Sequence, residues 1–146
     1  MTEKLLIETC LDKWHDHLKG EFEGGLDELL ADDVVFYSPV VFTPLEGKDL
    51  AKLYLSAAGS TFSEGDPQKV PGENGSNFRY IKEVMSGDHI MLEFEATIDG
   101  TYVNGVDIMT WNNKGKISEF KVMIRPLQAV NLVHAQMKTI LERMQG

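Results

Sequence analysis

The chain has 146 residues, of which 42% are hydrophobic, and its formal net charge at pH 7 is -9. This length and apolar content fit one globular domain over residues 1–146, and the acidity argues against nucleic acid or an anionic membrane as the main partner, because both require a concentrated positive field. The single cysteine, Cys10, cannot form an intramolecular disulfide, and no apolar run approaches the roughly 20 residues that cross a bilayer. We therefore expect a protein of the reducing cytoplasm, with neither nucleic acid nor a membrane as its partner.

The amino-terminal third of the chain predicts two helices and a strand. A first helix ends near Gly20, and its apolar residues recur at spacings of four, three and four, at Ile7, Leu11, Trp14 and Leu18. The segment GLDELLADD, residues 25–33, predicts a short second helix. It is followed by VVFY at 34–37, which predicts a strand because β-branched and aromatic residues favour sheets.

A third helix and a long loop follow. Pro39 and Pro44 bound a short loop, after which residues 47–59 return to helical spacing, with Gly59 as the expected carboxyl cap. Residues 60–77 are rich in Gly, Pro, Ser and Asn and show no periodicity. They predict a mobile loop of the kind that often covers a site.

The remainder predicts a meander of antiparallel strands and a final helix. Turn signals separate four strand-like runs, at residues 78–85, 89–98, 101–112 and 116–125. Pro126 suits the first turn of the last helix. Helices first and consecutive strands later indicate an α+β domain in which helices cover one face of a curved sheet.

Alternation along the strands predicts which side chains face the interior. In the second strand of the meander the inner face comprises Ile90, Leu92, Phe94, Ala96 and Ile98. In the fourth it comprises Ser118, Phe120, Val122 and Ile124, so that Ile117 and Glu119 should point outward. In the third strand, periodicity alone leaves the orientation of Asp107, Met109 and Trp111 open.

Three segments of the sequence resemble those of one structural superfamily. The segments LDELLADDVVFYSP, LEGKDLAKLY and VDIMTWNNKGKISEFKV are similar to the acidic helix-to-strand joint, the Gly-led third helix and the penultimate hairpin of nuclear transport factor 2-like proteins. The resemblance covers nearly the whole chain and points to the branch of ketosteroid isomerases and SnoaL-like polyketide cyclases. It implies a cone-shaped fold with a curved mixed or antiparallel sheet, and a homodimer formed through the outer sheet face.

The resemblance also implies a site around Asp107. In ketosteroid isomerases an acid at this position points into the pocket and donates a hydrogen bond to the substrate. The general base of those enzymes, an aspartate directly before the proline after the first strand, is replaced here by Ser38, and their tyrosine on the first helix is replaced by Trp14. The familiar steroid double-bond shift is therefore not expected. The expected ligand contacts are Trp14, Phe36, Ser38, Tyr54, Leu92, Phe94, Met109, Trp111, Phe120, Val122 and Ile124.

Asp107 has two interpretations from sequence. Burial among Phe, Met and Trp would raise the pKa of its carboxyl and make it a neutral donor or a poised general base, as in SnoaL-like cyclases. The alternative is an acid on an edge strand in solvent.

Other polar residues favour structural interpretations. Glu93 and Glu95 share the polar face of their strand, where charge pairing with Glu119 and Lys121 on a neighbouring strand is the simpler reading. Arg125 should pair with an outward Glu, and the Ser38 hydroxyl should bind the adjacent backbone turn. The histidines lack ligand spacing, so we expect no metal and no other cofactor.

Three functions remain open. The first is a cofactor-independent isomerase or cyclase, or a related lyase or hydrolase, that acts on a hydrophobic ring-bearing or polyketide-like molecule with Asp107 as its acid or base. The second is a module that binds an apolar small molecule without converting it. The third is a dimeric interaction protein of the same fold.

Overall fold

The computed structural model describes residues 6–62 and 78–145. It contains four helices, α1 (Leu6–Leu18), α2 (Gly25–Leu29), α3 (Lys48–Phe62) and α4 (Leu127–Gln145). Its strands are β1 (Leu30–Tyr37), β2 (Leu45–Glu46), β3 (Arg79–Ser86), β4 (His89–Ile98), β5 (Thr101–Trp111) and β6 (Ile117–Arg125). The described part of the chain includes no helix that is both long and apolar enough to cross a bilayer.

The strands form one mixed six-stranded sheet in the order β2-β1-β6-β5-β4-β3. β3 to β6 form the predicted antiparallel meander, whereas β1 runs parallel to β6. The β4–β5 hairpin turns at Asp99 and Gly100, whose φ angles are +50° and +80°. Asp and Gly tolerate this left-handed conformation better than most residues, so the pair fixes the register of the hairpin.

The core lies between the concave face of the sheet and the helices. All five residues predicted to face inward on β4 are at most 3% exposed. On β5 the inner face carries Val103, Asp107, Met109 and Trp111, so the structure settles the orientation that periodicity left open. Because this layer of helices covers only one sheet face, the fold class is the predicted α+β arrangement.

Several predicted boundaries and one predicted orientation were wrong. The first strand begins at Leu30, inside the expected second helix, and the two-residue strand β2 was not foreseen. Gly59 does not end α3, which continues to Phe62, and the rest of the predicted mobile loop, residues 63–77, lies outside the described residues. Ile117 is fully buried, because the register between β5 and β6 shifts between Thr110 and Trp111.

Candidate functional site

Asp107 lies on a central strand and points to the inner face of the sheet. Its neighbours across β5 are Leu92 on β4 and Val122 on β6. Its exposed fraction is 7%, which makes it one of two buried polar residues in the described part of the chain, with Ser38. The alternative of a solvated acid on an edge strand is therefore wrong.

A chain of hydrogen bonds holds the Asp107 carboxylate. The Tyr80 hydroxyl donates to Asp107 Oδ2 at 2.7 Å, and the Trp14 indole N–H donates to the Tyr80 oxygen at 3.0 Å. The three side chains come from α1, β3 and β5, so their meeting depends on the tertiary fold. Such a chain fixes the orientation of the carboxylate, because each group limits the rotation of the next.

The surroundings of Asp107 shift its protonation equilibrium. Burial raises the pKa of its carboxyl from 3.8 to about 7, although the hydrogen bond from Tyr80 acts in the opposite direction. Burial is also the main reason that the pKa of Tyr80 is raised well above 10, and the negative charge of Asp107 adds to that effect. At neutral pH, Tyr80 is therefore a neutral donor, while Asp107 can gain or lose a proton.

Tyr80 was not among the residues that the sequence patterns singled out. Its strand, β3, is largely exposed, and its register against β4 shifts between Tyr80 and Lys82. Buried and exposed residues therefore do not alternate clearly along this strand. The available signal was the pairing of Tyr80 with Phe94, a residue already expected to face inward. That signal could be used only once the strand register was known, because a shift of one residue would reverse the face.

The expected ligand contacts form an apolar environment, and most belong to one cluster. This cluster contains the buried residues Trp14, Phe36, Leu92, Met109, Trp111 and Phe120, with Tyr54, Tyr80 and Val122 packed against it. Phe94 and Ile124 belong to an adjoining cluster that shares Tyr80 and Val122. The two clusters therefore meet at the residues that bond or flank Asp107.

Aromatic rings make up much of this environment. Trp14 and Phe120 have ring centroids 5.3 Å apart, and Phe36 lies 5.8 Å from Phe120 and 6.2 Å from Tyr54. These tilted arrangements suit rings that pack edge against face. These rings pack against one another and form the apolar surroundings that desolvate Asp107.

Ser38 makes a local hydrogen bond. Its hydroxyl oxygen accepts from the backbone N–H of Val40 at 3.1 Å. The side chain thus stabilises the turn after β1, as its structural interpretation predicted. It is not an acid and cannot replace the general base of the isomerases.

The polar face of β4 is paired with β3. Glu95 forms an ion pair with Arg79 at 2.6 Å, and Glu93 forms one with Lys82 at 3.6 Å. The predicted partners on β6 were wrong, because β5 separates β4 from β6. Arg125 was expected to pair with a Glu but donates to Asn104 Oδ1 at 3.4 Å.

Metal-binding groups are absent from the described residues. Across residues 6–62 and 78–145, no three His, Cys, Asp or Glu side chains are grouped so that they could hold a metal ion.

Solved structures share this arrangement of helices and strands. A steroid delta-isomerase from Pseudomonas aeruginosa superimposes with a TM-score of 0.82 at 24% identity, over 99% of this chain and 98% of its own. A bacterial protein with a cystatin-like fold from Silicibacter pomeroyi gives a TM-score of 0.72 at 28% identity, over 89% of this chain and 83% of its own. An NTF2-like protein of unknown function from Mesorhizobium loti gives a TM-score of 0.63 at 18% identity, over 83% of this chain and 92% of its own. No protein-family model matches the sequence, and no curated protein matches it.

Proposed function

We propose that this chain, which has the nuclear transport factor 2-like fold, is a small cofactor-independent enzyme that moves a proton on a hydrophobic ring-bearing molecule. The single observation that carries the proposal is the state of Asp107. It is an acid with a pKa of about 7, buried at 7% exposure and held by Tyr80. Structural acids at surface ion pairs do not have this combination of burial and raised pKa, whereas general acids and bases do.

The proposed step is proton abstraction from a carbon atom next to a carbonyl group. The carboxylate of Asp107 takes the proton, the electron pair of the C–H bond moves towards the carbonyl oxygen, and an enolate and a neutral acid result. Where the enolate is conjugated with a C=C bond, return of the proton from Asp107 to the far carbon completes an isomerisation. Attack of the enolate on a second carbonyl carbon forms a C–C bond, and the alkoxide that results takes the proton from Asp107 to complete a cyclisation. A base with a pKa near the working pH suits both directions of transfer.

Tyr80 and Trp14 are proposed to position Asp107. Tyr80 occupies Oδ2, so Oδ1 is the oxygen proposed to exchange the proton. Trp14 in turn fixes the Tyr80 hydroxyl. Burial raises the pKa of Asp107, and the hydrogen bond from Tyr80 lowers it. This hydrogen bond therefore adjusts how strong a base Asp107 is.

The steroid delta-isomerase of similar fold indicates a reaction class and no more. Its name concerns a double-bond shift, and its identity to this chain is 24%. The acid that its relatives place before the proline is Ser38 here, and the Ser38 hydroxyl is engaged by Val40. We therefore assign the proton transfer to Asp107 alone, acting on a polyketide-like or other ring-bearing carbonyl compound.

Hydrogen–deuterium exchange at carbon tests the proposal directly. 2-Tetralone is a hydrophobic bicyclic ketone with acidic C–H groups, and NMR follows their exchange in D2O. We expect the wild-type protein to accelerate exchange, with a rate that rises with pH through about 7 as Asp107 ionises. Asp107→Asn should lower the rate by about 10²- to 10⁴-fold, the usual contribution of a general base. Asp33→Asn, which changes an exposed acid on β1, should keep the full rate.

A non-catalytic ligand-binding module is the second candidate, and Ser38 in place of an acid favours it. The same NMR samples separate the two functions. Saturable shifts of resonances around Asp107 without accelerated exchange would support binding alone and overturn the catalytic proposal.

We also propose that the protein forms a homodimer through its outer sheet face. This face exposes Val84, Met91 and Met123 by 41–53%, and they line a groove of about 430 Å³ that is flanked by Lys82 and Glu93. An apolar centre with charges of both signs at its rim is typical of interfaces between proteins. Sedimentation velocity should show a dimer for the wild type and a monomer for Met123→Glu, and a wild-type monomer would contradict the proposal.

The proposed compartment remains the cytoplasm. Cys10 is fully buried, and burial raises the pKa of its thiol, so it suits a reducing environment in which no disulfide forms.

A further inference from the structure

A second cleft lies at the end of the sheet where two hairpins meet α1. Its volume is about 440 Å³, within the range of small-molecule sites. The first turn of α1 forms one side, with Ile7 and Glu8, and Cys10 lies one turn further. The β3–β4 turn, with Met85 and Asp88, forms the other side, and Trp111 at the end of β5 also lines the cleft.

Trp111, which lines this cleft, has an unpaired polar atom. The residue is 2% exposed, and its indole nitrogen is the one buried side-chain N or O atom in the described part of the chain that lacks a hydrogen-bond partner. The indole N–H of Trp14, by contrast, binds Tyr80. A buried donor without an acceptor destabilises the folded state, so an unpaired donor on a residue that lines a cleft would gain from an external acceptor.

We propose that this cleft binds a neutral hydrophobic molecule whose carbonyl or other acceptor oxygen receives a hydrogen bond from the Trp111 indole. Ile7, Met85 and the Trp111 ring supply the apolar contact. Asp88 is an acid at the border of the cleft, which disfavours an anionic ligand there.

The cleft is separate from the site at Asp107. Trp111 lies four residues beyond Asp107 on β5, which corresponds to about 13 Å along a strand. Trp111 was expected to contact the ligand of the Asp107 site; it belongs to the apolar cluster around that site and also lines this second opening. The proposal therefore does not depend on proton transfer at Asp107.

The test uses a ketone that cannot enolise and its matched hydrocarbon. 2,2-Dimethyl-1-indanone is titrated into the ¹⁵N-labelled protein, and 2,2-dimethylindane serves as the analogue without the acceptor. We expect the ketone to shift the indole N–H proton of Trp111 downfield and to perturb the amides of Ser86 and Asn112, both at the cleft. The hydrocarbon should bind roughly two- to tenfold more weakly, as expected for the loss of one neutral hydrogen bond.

Two variants locate the binding. Trp111→Phe keeps an aromatic ring but removes the N–H. It should weaken binding of the ketone by the same factor and leave binding of the hydrocarbon unchanged. Asp107→Asn should leave the affinity of the cleft for the ketone unchanged. If Trp111→Phe does not fold, the comparison of ketone and hydrocarbon in the wild type decides the question.

Three results would overturn the proposal. The first is an indole resonance of Trp111 that does not move up to the solubility limit of the ketone. The second is equal affinity for ketone and hydrocarbon. The third is a set of shifts confined to the surroundings of Asp107 and Tyr80.

Discussion

Replacing Asp107 by Asn should stabilise the protein, and the gain should grow with pH. The folded-state pKa of Asp107 is raised to about 7, so this carboxyl imposes no penalty below its unfolded pKa, where both states are protonated. Between pH 4 and pH 7 the unfolded chain releases the proton more readily, and the folded state loses stability as the pH rises. Asn has no charge to desolvate, and its amide oxygen can still accept the hydrogen bond from Tyr80.

The magnitude follows from the two pKa values. For a shift from 3.8 to about 7, the penalty on wild-type folding is about 2 kcal/mol at pH 5 and about 4 kcal/mol at pH 8. The difference between these pH values, about 2–3 kcal/mol, is the more useful quantity. It is independent of any fixed effect of the substitution on packing.

Urea unfolding at pH 5, 6, 7 and 8 measures this difference. The free energy of unfolding of Asp107→Asn minus that of the wild type should increase by about 2–3 kcal/mol over the series. Asp33→Asn is the matched control, because Asp33 is exposed on β1. The free energy of unfolding of this variant minus that of the wild type should not change with pH. A flat difference for Asp107→Asn, or one that decreases with pH, would refute the reasoning.

Two further substitutions test the surroundings of Asp107. Tyr80→Phe removes the bond to Asp107 and leaves the Trp14 N–H without its acceptor, so urea unfolding should show a loss of about 1–3 kcal/mol. The pKa of Asp107 should also rise further, since this bond lowers it, and a fall measured by NMR titration would contradict the account. Gly105→Ala would place a Cβ atom 2.5 Å from Phe94 Cζ, and overpacking should cost about 1–3 kcal/mol in the same assay. Unchanged stability of that variant would mean that the strand and ring can separate freely.

Much of the fold could be predicted because its patterns are local. Alternation fixed the inner face of β4, and turn residues such as Asp99 and Gly100 separated the strands. The resemblance to nuclear transport factor 2-like proteins supplied the arrangement of these elements, and solved structures confirm that fold. The errors came where tertiary contacts overrule local preference, as at the end of α3 beyond Gly59 and at the irregular pairing beside Ile117.

The candidate site was less accessible to sequence reasoning. Asp107 could be singled out because an acid in a run of strand-forming residues is unusual, yet alternation could not decide which way it faces. Tyr80 was missed because its role depends on the register of β3 against β4. The hydrogen-bond chain joins residues that are 66 and 27 positions apart, a proximity that no local pattern encodes.

The pKa of the Asp107 carboxyl tests the central claim most directly. Carbon-detected NMR can follow the side-chain carboxyl through a pH titration, with Asp107→Asn identifying its resonance. The account predicts a midpoint at about 7, as expected for a desolvated acid held by Tyr80. A midpoint near the ordinary value of 3.8 would show that the carboxyl is solvated, and it would contradict the role of Asp107 as a neutral-pH acid and base.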